Sequence, residues 1–313
     1  MDILYIVVPC YNEQEVLPET AKRLKAKMTG LIKSGKISQD SRIVFVNDGS
    51  KDETWRLIKE LHEGDSLYSG ICLSRNKGHQ NALMAGLMTA YEHADMVISM
   101  DADLQDDIEA VDAMVERYKE GCDVVYGVRG SRETDSAFKR MTAESYYKLI
   151  QSLGGDIIYN HADYRLLSKR ALGALAQYGE VNMFLRGIVP MLGFKSAVVE
   201  YDRSERFAGE SKYPLKKMIA FAVEGITSLS VRPLRLIMWT GVFSVAASAA
   251  WLLVLLIRRA AGQALMLGAL GFALMFFAGL NLIASGIIGE YIGKIYLETK
   301  RRPLYFIETV LLR

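Results

Sequence analysis

The sequence predicts an α/β domain built on a mainly parallel sheet, followed by an interfacial helical segment and two transmembrane helices. Three observations point there. Residues 1–200 alternate short β-branched runs with amphipathic stretches, at about 30 residues per unit. Polar residues gather just after each apolar run. Two long uncharged runs then occupy the C-terminal third.

The predicted strands are Ile3–Val8, Ile43–Val46, Gly70–Leu73, Met96–Met100 and Val124–Val128, each apolar enough to be covered on both faces. Between them Glu13–Met28, Glu53–Glu63, Gln80–His93 and Ile108–Glu120 carry apolar residues at helical spacing. Ser50 and Asp52 suit the cap of the second helix, and Asp106 or Asp107 that of the fourth. Leu236–Ile257 is 22 residues without a charge and Ala260–Gly289 is 30. Each exceeds the roughly 20 residues that cross a hydrocarbon core of about 30 Å. Arg258, Arg259 and Gly262 separate them as a tight hairpin. Gly268, Gly271, Gly279, Ser285, Gly286 and Gly289 make the second run suited to close helix packing, which predicts a homo-oligomer.

Basic residues set the orientation. Lys212, Lys216, Lys217, Arg232 and Arg235 precede the first span, and Lys294, Lys300, Arg301 and Arg302 follow the second. This bias places both termini in the cytoplasm of a multi-pass inner-membrane protein. Met1–Pro9 has no basic stretch or cleavage site of a signal peptide. The expected divisions are a cytoplasmic domain over 1–205, a basic loop and juxtamembrane amphipathic helix over 206–232, a two-helix hairpin over 233–291 and a cytoplasmic tail over 292–313. Within the second, Lys216–Ser230 has an apolar side able to lie at a lipid bilayer surface.

Composition narrows the function classes. With 50% hydrophobic and 24% charged residues the chain can bury a core, which excludes a disordered or low-complexity protein. A net charge of +2 gives no footing for nucleic acid. Cys10, Cys72 and Cys122 are scattered, without a Cys-x-x-Cys pair, so neither a disulfide framework nor a zinc site is expected. His62, His79, His93 and His161 also lack metal-ligand spacing. Gly-x-Gly-x-x-Gly is absent after the first strand, and so is Gly-x-x-x-x-Gly-Lys-Ser/Thr, which argues against dinucleotide and P-loop chemistry.

Ligands of parallel sheets bind beyond the carboxyl ends of the strands. Those ends carry Pro9-Cys10-Tyr11-Asn12-Glu13, Asn47-Asp48-Gly49-Ser50, Ser74-Arg75-Asn76-Lys77-Gly78, Asp101-Ala102-Asp103-Leu104-Gln105-Asp106 and Gly127-Val128-Arg129. Asp101 and Asp103 are the clearest chemistry. Two acids one residue apart beyond a strand can share a hard divalent cation, which completes its shell with substrate phosphates.

The first, second and fourth of these segments, in this order, resemble glycosyltransferase family 2 of the inverting GT-A type. The likeness continues through Asp163-Tyr164-Arg165-Leu166 and Arg206-Phe207-Ala208-Gly209-Glu210-Ser211-Lys212-Tyr213. With two C-terminal spans, the chain looks like the polyprenyl-phosphate glycosyltransferases, the group of bactoprenol glucosyltransferase and dolichyl-phosphate-mannose synthase. The resemblance implies a GT-A, nucleotide-diphospho-sugar transferase domain that uses Mg²⁺ or Mn²⁺. It implies that Pro9, Tyr11 and Glu13 line the base and ribose pocket, with Asp48 on the base. Asp101, Ala102 and Asp103 would flank the diphosphate, Asp103 holding the metal with Asp101. Gln105 would face the sugar and Arg129 a phosphate. Asp163 matches the family's proposed base, with Arg165 beside it, and Arg206 and Lys212 match basic residues that grip phosphate. Asn47 departs from the usual Asp-Asp-Gly-Ser.

The implied reaction takes a nucleotide-sugar, UDP-glucose before UDP-GlcNAc, a UDP-aminoarabinose derivative or GDP-mannose, and a polyprenyl phosphate, undecaprenyl phosphate first. The rival from another class is a membrane scaffold that senses nucleotide-sugars without turnover. A phosphate monoester with a second pKa near 6 is mostly ionised at neutral pH. Such an acceptor is already a nucleophile, so the residues leave Asp163 open as a base or as an ion-pair anchor for Arg165.

Overall fold

The computed structural model describes residues 1–130, 161–181, 183–202, 227, 231–261 and 267–312. The basic loop with Arg206 and Lys212, and nearly all of the amphipathic segment 216–230, lie outside the described residues.

Strand β1 (Leu4–Cys10) is the centre of the sheet, and its residues alternate strictly between the two faces. Leu4, Ile6, Val8 and Cys10 enter one core, Tyr5 and Val7 the other. β2 (Arg42–Asn47), β3 (Tyr68–Leu73) and β4 (Met96–Ser99) pair in parallel around it. The first core is covered by α1 (Leu17–Lys33), α2 (Thr54–Gly64) and α4 (Ala110–Lys119). The second is covered by α3 (His79–Tyr91), α5 (Lys169–Leu175) and α6 (Leu185–Met191). Strands buried on both faces read as unbroken apolar runs, which is why sequence alone finds them.

Boundaries differ where loops have other work. α1 begins at Leu17, with Pro18 in its first turn, where a missing N–H costs nothing. Residues 11–16 instead form a turn in which Glu13 O accepts from the N–H groups of Val16 and Leu17. Asp52 does serve the start of α2, accepting from Thr54 N at 3.1 Å. Ser50 is committed elsewhere, its Oγ accepting from Asn12 N at 3.0 Å. Asp107 accepts from Glu109 N at the start of α4, while Asp106 is buried.

The sheet has eight strands in the order β7-β5-β6-β4-β1-β2-β3-β8. β5 (Val124–Arg129) and β7 (Ser196–Tyr201) run with the central strands; β6 (His161–Ser168) is antiparallel to both β4 and β5. Because β6 is reversed, its entry rather than its exit lies at the carboxyl edge of its neighbours. Val128 is level with His161, and Ser99 with Arg165.

The C-terminal helices α7 (Arg232–Ala260) and α8 (Leu267–Lys300) bury almost nothing against protein. Leu236, Trp239, Phe243, Trp251 and Leu282 are all more than half or half exposed, which separates α7 and α8 from core helices of a soluble domain. Both are long and apolar enough to cross a membrane. The cytoplasmic tail expected over 292–313 carries regular structure among its described residues. α8 continues to Lys300, and β8 (Ile307–Leu311) then pairs antiparallel with β3. Phe306 O accepts from Ser74 N at 3.0 Å, and Leu304 and Tyr305 pack on the second core. An edge strand of five residues leaves no sequence signal strong enough to separate it from a tail.

Candidate active site

Hydrogen bonds stitch the loops after β1, β2 and β3 into one wall. Lys51 N donates to Asn12 Oδ1, Glu13 N to Thr54 Oγ1 and Gln14 N to Asp52 Oδ2, at 2.9, 2.9 and 3.2 Å. Asn47 turns its own loop by accepting from Ser50 N and is otherwise buried against Cys72. Gly49 has φ +65°, and a Cβ there would lie 2.5 Å from Asn76 N, so only glycine fits. Pro9 is buried in β1, Tyr11 is exposed and Glu13 is half-buried.

Asp48, which the resemblance assigns to the base, also braces the backbone of the next loop. Its two oxygens accept from Lys77 N at 2.7 Å and Gly78 N at 2.9 Å, and the residue is buried. Burial pushes its carboxyl up, and the two amides work against that shift. Asp48 therefore shapes the loop that leads into α3.

That loop delivers His79 to the first position of α3. His79 Nε2 lies 3.7 Å from Asp101 Oδ1 and 3.7 Å from Asp163 Oδ2, so it bridges the acid after β4 and the acid at the entry of β6. The Asp101 side chain is 37% exposed. Burial raises its carboxyl, His79 lowers it, and the charges of Asp163 and Asp103 raise it again. Asp103 accepts from Gln105 N at 3.2 Å, and between them Leu104 holds φ +58°. A buried leucine in the left-handed region costs about 1–2 kcal/mol, held here by packing. Ala102 is buried, and its carbonyl accepts from Thr20 Oγ1 of α1 at 2.8 Å. Among the described residues no three ligating side chains converge on one point. The donor set is two neighbouring carboxylates beside a third, an excess of negative charge that fits a hard cation completed by substrate oxygens.

Asp163 is the hub. It accepts from Arg165 Nη2 at 2.5 Å and from Arg186 Nη2 at 3.0 Å, with Gln80 Nε2 at 3.4 Å. Burial alone would raise its carboxyl, but Arg186, Arg165 and His79 hold it well below the usual carboxylate range. Arg165 does not sit where it can meet a ligand. Its side chain is 2% exposed, and Nη1 donates to Leu185 O at 3.0 Å. Arg165 is thus a buried strut between β6 and α6. Arg186, 30% exposed, is the guanidinium on the open side.

Arg129 ends β5 beside Asp106, with Nη2 at 3.7 Å from Asp106 Oδ1. Tyr201 OH, at the end of β7, donates to the same Oδ1 at 2.5 Å. Burial and then the charge of Asp101 push Asp106 up to about 6, against the pull of Tyr201 and Arg129.

The structure therefore brings Asp101 and Asp163 together around His79, ties Arg165 to Asp163 from the buried side, and sets Arg129 on a separate pair of supports. His79, Arg186, Asp106 and Tyr201 are additional members. His79 falls one residue beyond the polar segment Ser74–Gly78 and has no metal-ligand spacing, so the sequence carries no signal for it. Arg186 follows no strand and no spacing rule; only the reversal of β6 against α6 brings it in. His62, by contrast, is a satisfied core histidine, with Nδ1 at 2.7 Å from Tyr68 O.

Comparison with known proteins bears on the fold and the family. In backbone the chain is similar to mannosyl-3-phosphoglycerate synthase from Rubrobacter xylanophilus, with TM-score 0.50 and 14% identity, covering 75% of this chain and 74% of that one, a likeness of fold alone. In sequence it is 51% identical over 98% of its length to the uncharacterized glycosyltransferase YkoT of Bacillus subtilis, and covers 91% of it. It is 39% identical to the bactoprenol glucosyl transferase of Shigella phage SfX, covering 97% of this chain and 98% of the relative. The prophage bactoprenol glucosyl transferase homolog of Escherichia coli is 38% identical with the same coverage. The pattern of Glycosyl transferase family 2 matches residues 5–175, from β1 to the end of α5, and the chain belongs to that family.

Proposed function

We propose that this protein transfers a glucosyl group from UDP-glucose to a polyprenyl phosphate, undecaprenyl phosphate or a close relative, with inversion, at the cytoplasmic face of a membrane. One observation carries the reading. A cluster of acids and guanidiniums at the sheet edge and two exposed apolar helices share one chain, and relatives named bactoprenol glucosyl transferase align across both parts.

An oxygen of the acceptor phosphate attacks C1 of the sugar from the side opposite UDP. The C1–O bond breaks and UDP leaves with the electron pair. Mg²⁺ or Mn²⁺, held by Asp101 and Asp103, would offset the charge that grows on the diphosphate. Arg129, steadied by Asp106 and Tyr201, is placed to add a fixed positive charge on the same side. Gln105, beside Asp103, is assigned to the sugar, and Pro9, Tyr11 and Glu13 to the nucleoside.

Asp163 is assigned an orienting role rather than that of a base. A carboxylate held by two guanidiniums has little affinity for a proton, and a largely ionised phosphate has little need of a base. Asp163 instead aims Arg186 and keeps negative charge near C1, where positive charge develops. Arg206 and Lys212 are assigned to the acceptor phosphate. Return of the chain to β3 after α8 supports a hairpin with both ends on one side.

The test is purified full-length protein in lipid nanodiscs with labelled UDP-glucose, undecaprenyl phosphate and Mg²⁺. Butanol-extractable label is expected. Label only from UDP-GlcNAc, a UDP-aminoarabinose derivative or GDP-mannose would change the donor, and no lipid product from any donor would leave the sensing scaffold.

A further inference from the structure

α8 is 34 residues long, about 50 Å at 1.5 Å per residue, well beyond the hydrocarbon core. Its uncharged part ends at Gly289, and Glu298 stands about 12 Å further along the helix than Glu290. Tyr291, Lys294, Tyr296 and Lys300 cluster on these last turns, a composition suited to the membrane–water boundary. Lys300 Nζ lies 4.6 Å from the Tyr296 ring centre.

At this height a polar contact joins the helix to the catalytic domain. The two oxygens of Glu298 each accept from Val181 N at 2.9 Å. Val181 opens the short segment that feeds α6. Met183 and Phe184 of that segment are buried, Leu185 N approaches Gln80 Oε1 at 3.4 Å, and Leu185 O takes Arg165. The next residue is Arg186, which grips Asp163. Burial, and then the charge of Glu298, raise the Glu180 carboxyl beside this contact.

We infer that Glu298 is a positioning residue for glycosyl transfer: it ties the end of the second membrane helix to the backbone that presents Arg186 to Asp163. The inference rests on the proposed reaction. The linkage runs from Glu298 through Val181 and the buried Met183–Leu185 stretch to the Arg186 guanidinium. Seating of α8 in the bilayer thus sets the height at which Arg186 is held at Asp163. The covalent return through β8 fixes the same helix to β3, so Glu298 is a second tether.

The experiment compares wild type, Glu298→Ala, Glu298→Gln, Arg186→Ala and the Glu298→Ala/Arg186→Ala pair, all full length in nanodiscs. Hydrogen exchange of the amides over 183–191 reads the tether directly. Glu298→Ala should lose protection there and drop kcat about ten-fold, the scale of one charge-assisted hydrogen bond, with UDP-glucose affinity within two-fold of wild type. Glu298→Gln keeps an acceptor and should restore most of both. The double variant should be no slower than Arg186→Ala alone, because both changes act through one group. Unchanged exchange in Glu298→Ala, or a kinetic loss that adds in full to that of Arg186→Ala, overturns the inference. If Glu298→Ala does not insert, Glu298→Asp, one methylene shorter, carries the same comparison. A wild type without transferase activity refutes the proposed reaction, while the exchange data still decide the tether.

Discussion

Arg186 Nη2 donates to Asp163 Oδ2 at 3.0 Å across 23 residues of chain, while Arg165 occupies the other oxygen. The acid is held between one buried guanidinium and one that faces the open side. This places Asp163 as the fixed point of the site and predicts how its removal behaves.

Asp163→Asn should cut turnover a hundred-fold or more, with UDP-glucose affinity near wild type by calorimetry. The loss should persist as pH rises from 7 to 9.5. A missing base, in contrast, is partly replaced by hydroxide at high pH. The variant also strands the charge of Arg165, so its Tm should fall, in line with the roughly 3–5 kcal/mol of a broken buried pair. Recovery of activity at high pH would return Asp163 to the role of base.

Asp103→Asn should abolish transfer while the protein still folds and inserts, since asparagine keeps an acceptor for Gln105 N in the same turn and loses the charge offered to the proposed cation. Excess EDTA should silence wild type, and Mg²⁺ or Mn²⁺ should restore it. Full activity in EDTA removes the metal from the reaction.

Asp106 gives a pH signature. Its carboxyl is raised in the fold to about 6, above an unfolded value near 4. The stability it contributes is therefore complete below pH 4 and is lost as pH rises through 6. Asp106→Asn carries no such charge, so its Tm should gain on wild type between pH 4 and 7.5. The gain is on the order of 2–3 kcal/mol. Scans in EDTA keep cations from masking the effect. A difference that stays constant with pH, or shrinks, contradicts the buried acid described here.

Cys10, Cys72 and Cys122 are all buried, so cysteine labelling starts from a low background. Ala261→Cys should react with an impermeant maleimide from outside intact cells, and Asp40→Cys only after lysis. External labelling at residue 40 would invert the hairpin.

Five parallel strands, the helices between them, the polar carboxyl edge with Asp101 and Asp103, and two apolar runs of membrane length are legible in the residues alone. These are local properties: a strand buried on both faces, a helix with one apolar face and a span each leave a periodic or compositional trace within a few residues. The tertiary structure decided what chain reversal decides. β6 runs against its neighbours, so Asp163 enters the edge and Arg165, two residues on, is sealed inside. Arg186 and His79 reach Asp163 from α6 and α3, across sequence distances that carry no periodic signal. That Asp48 also braces the loop before α3, through the Lys77 and Gly78 amides, is visible only once β2 and β3 lie side by side. The tail became β8 because β3 offered a free edge whose N–H and C=O groups needed partners, a need that exists only once the sheet is assembled.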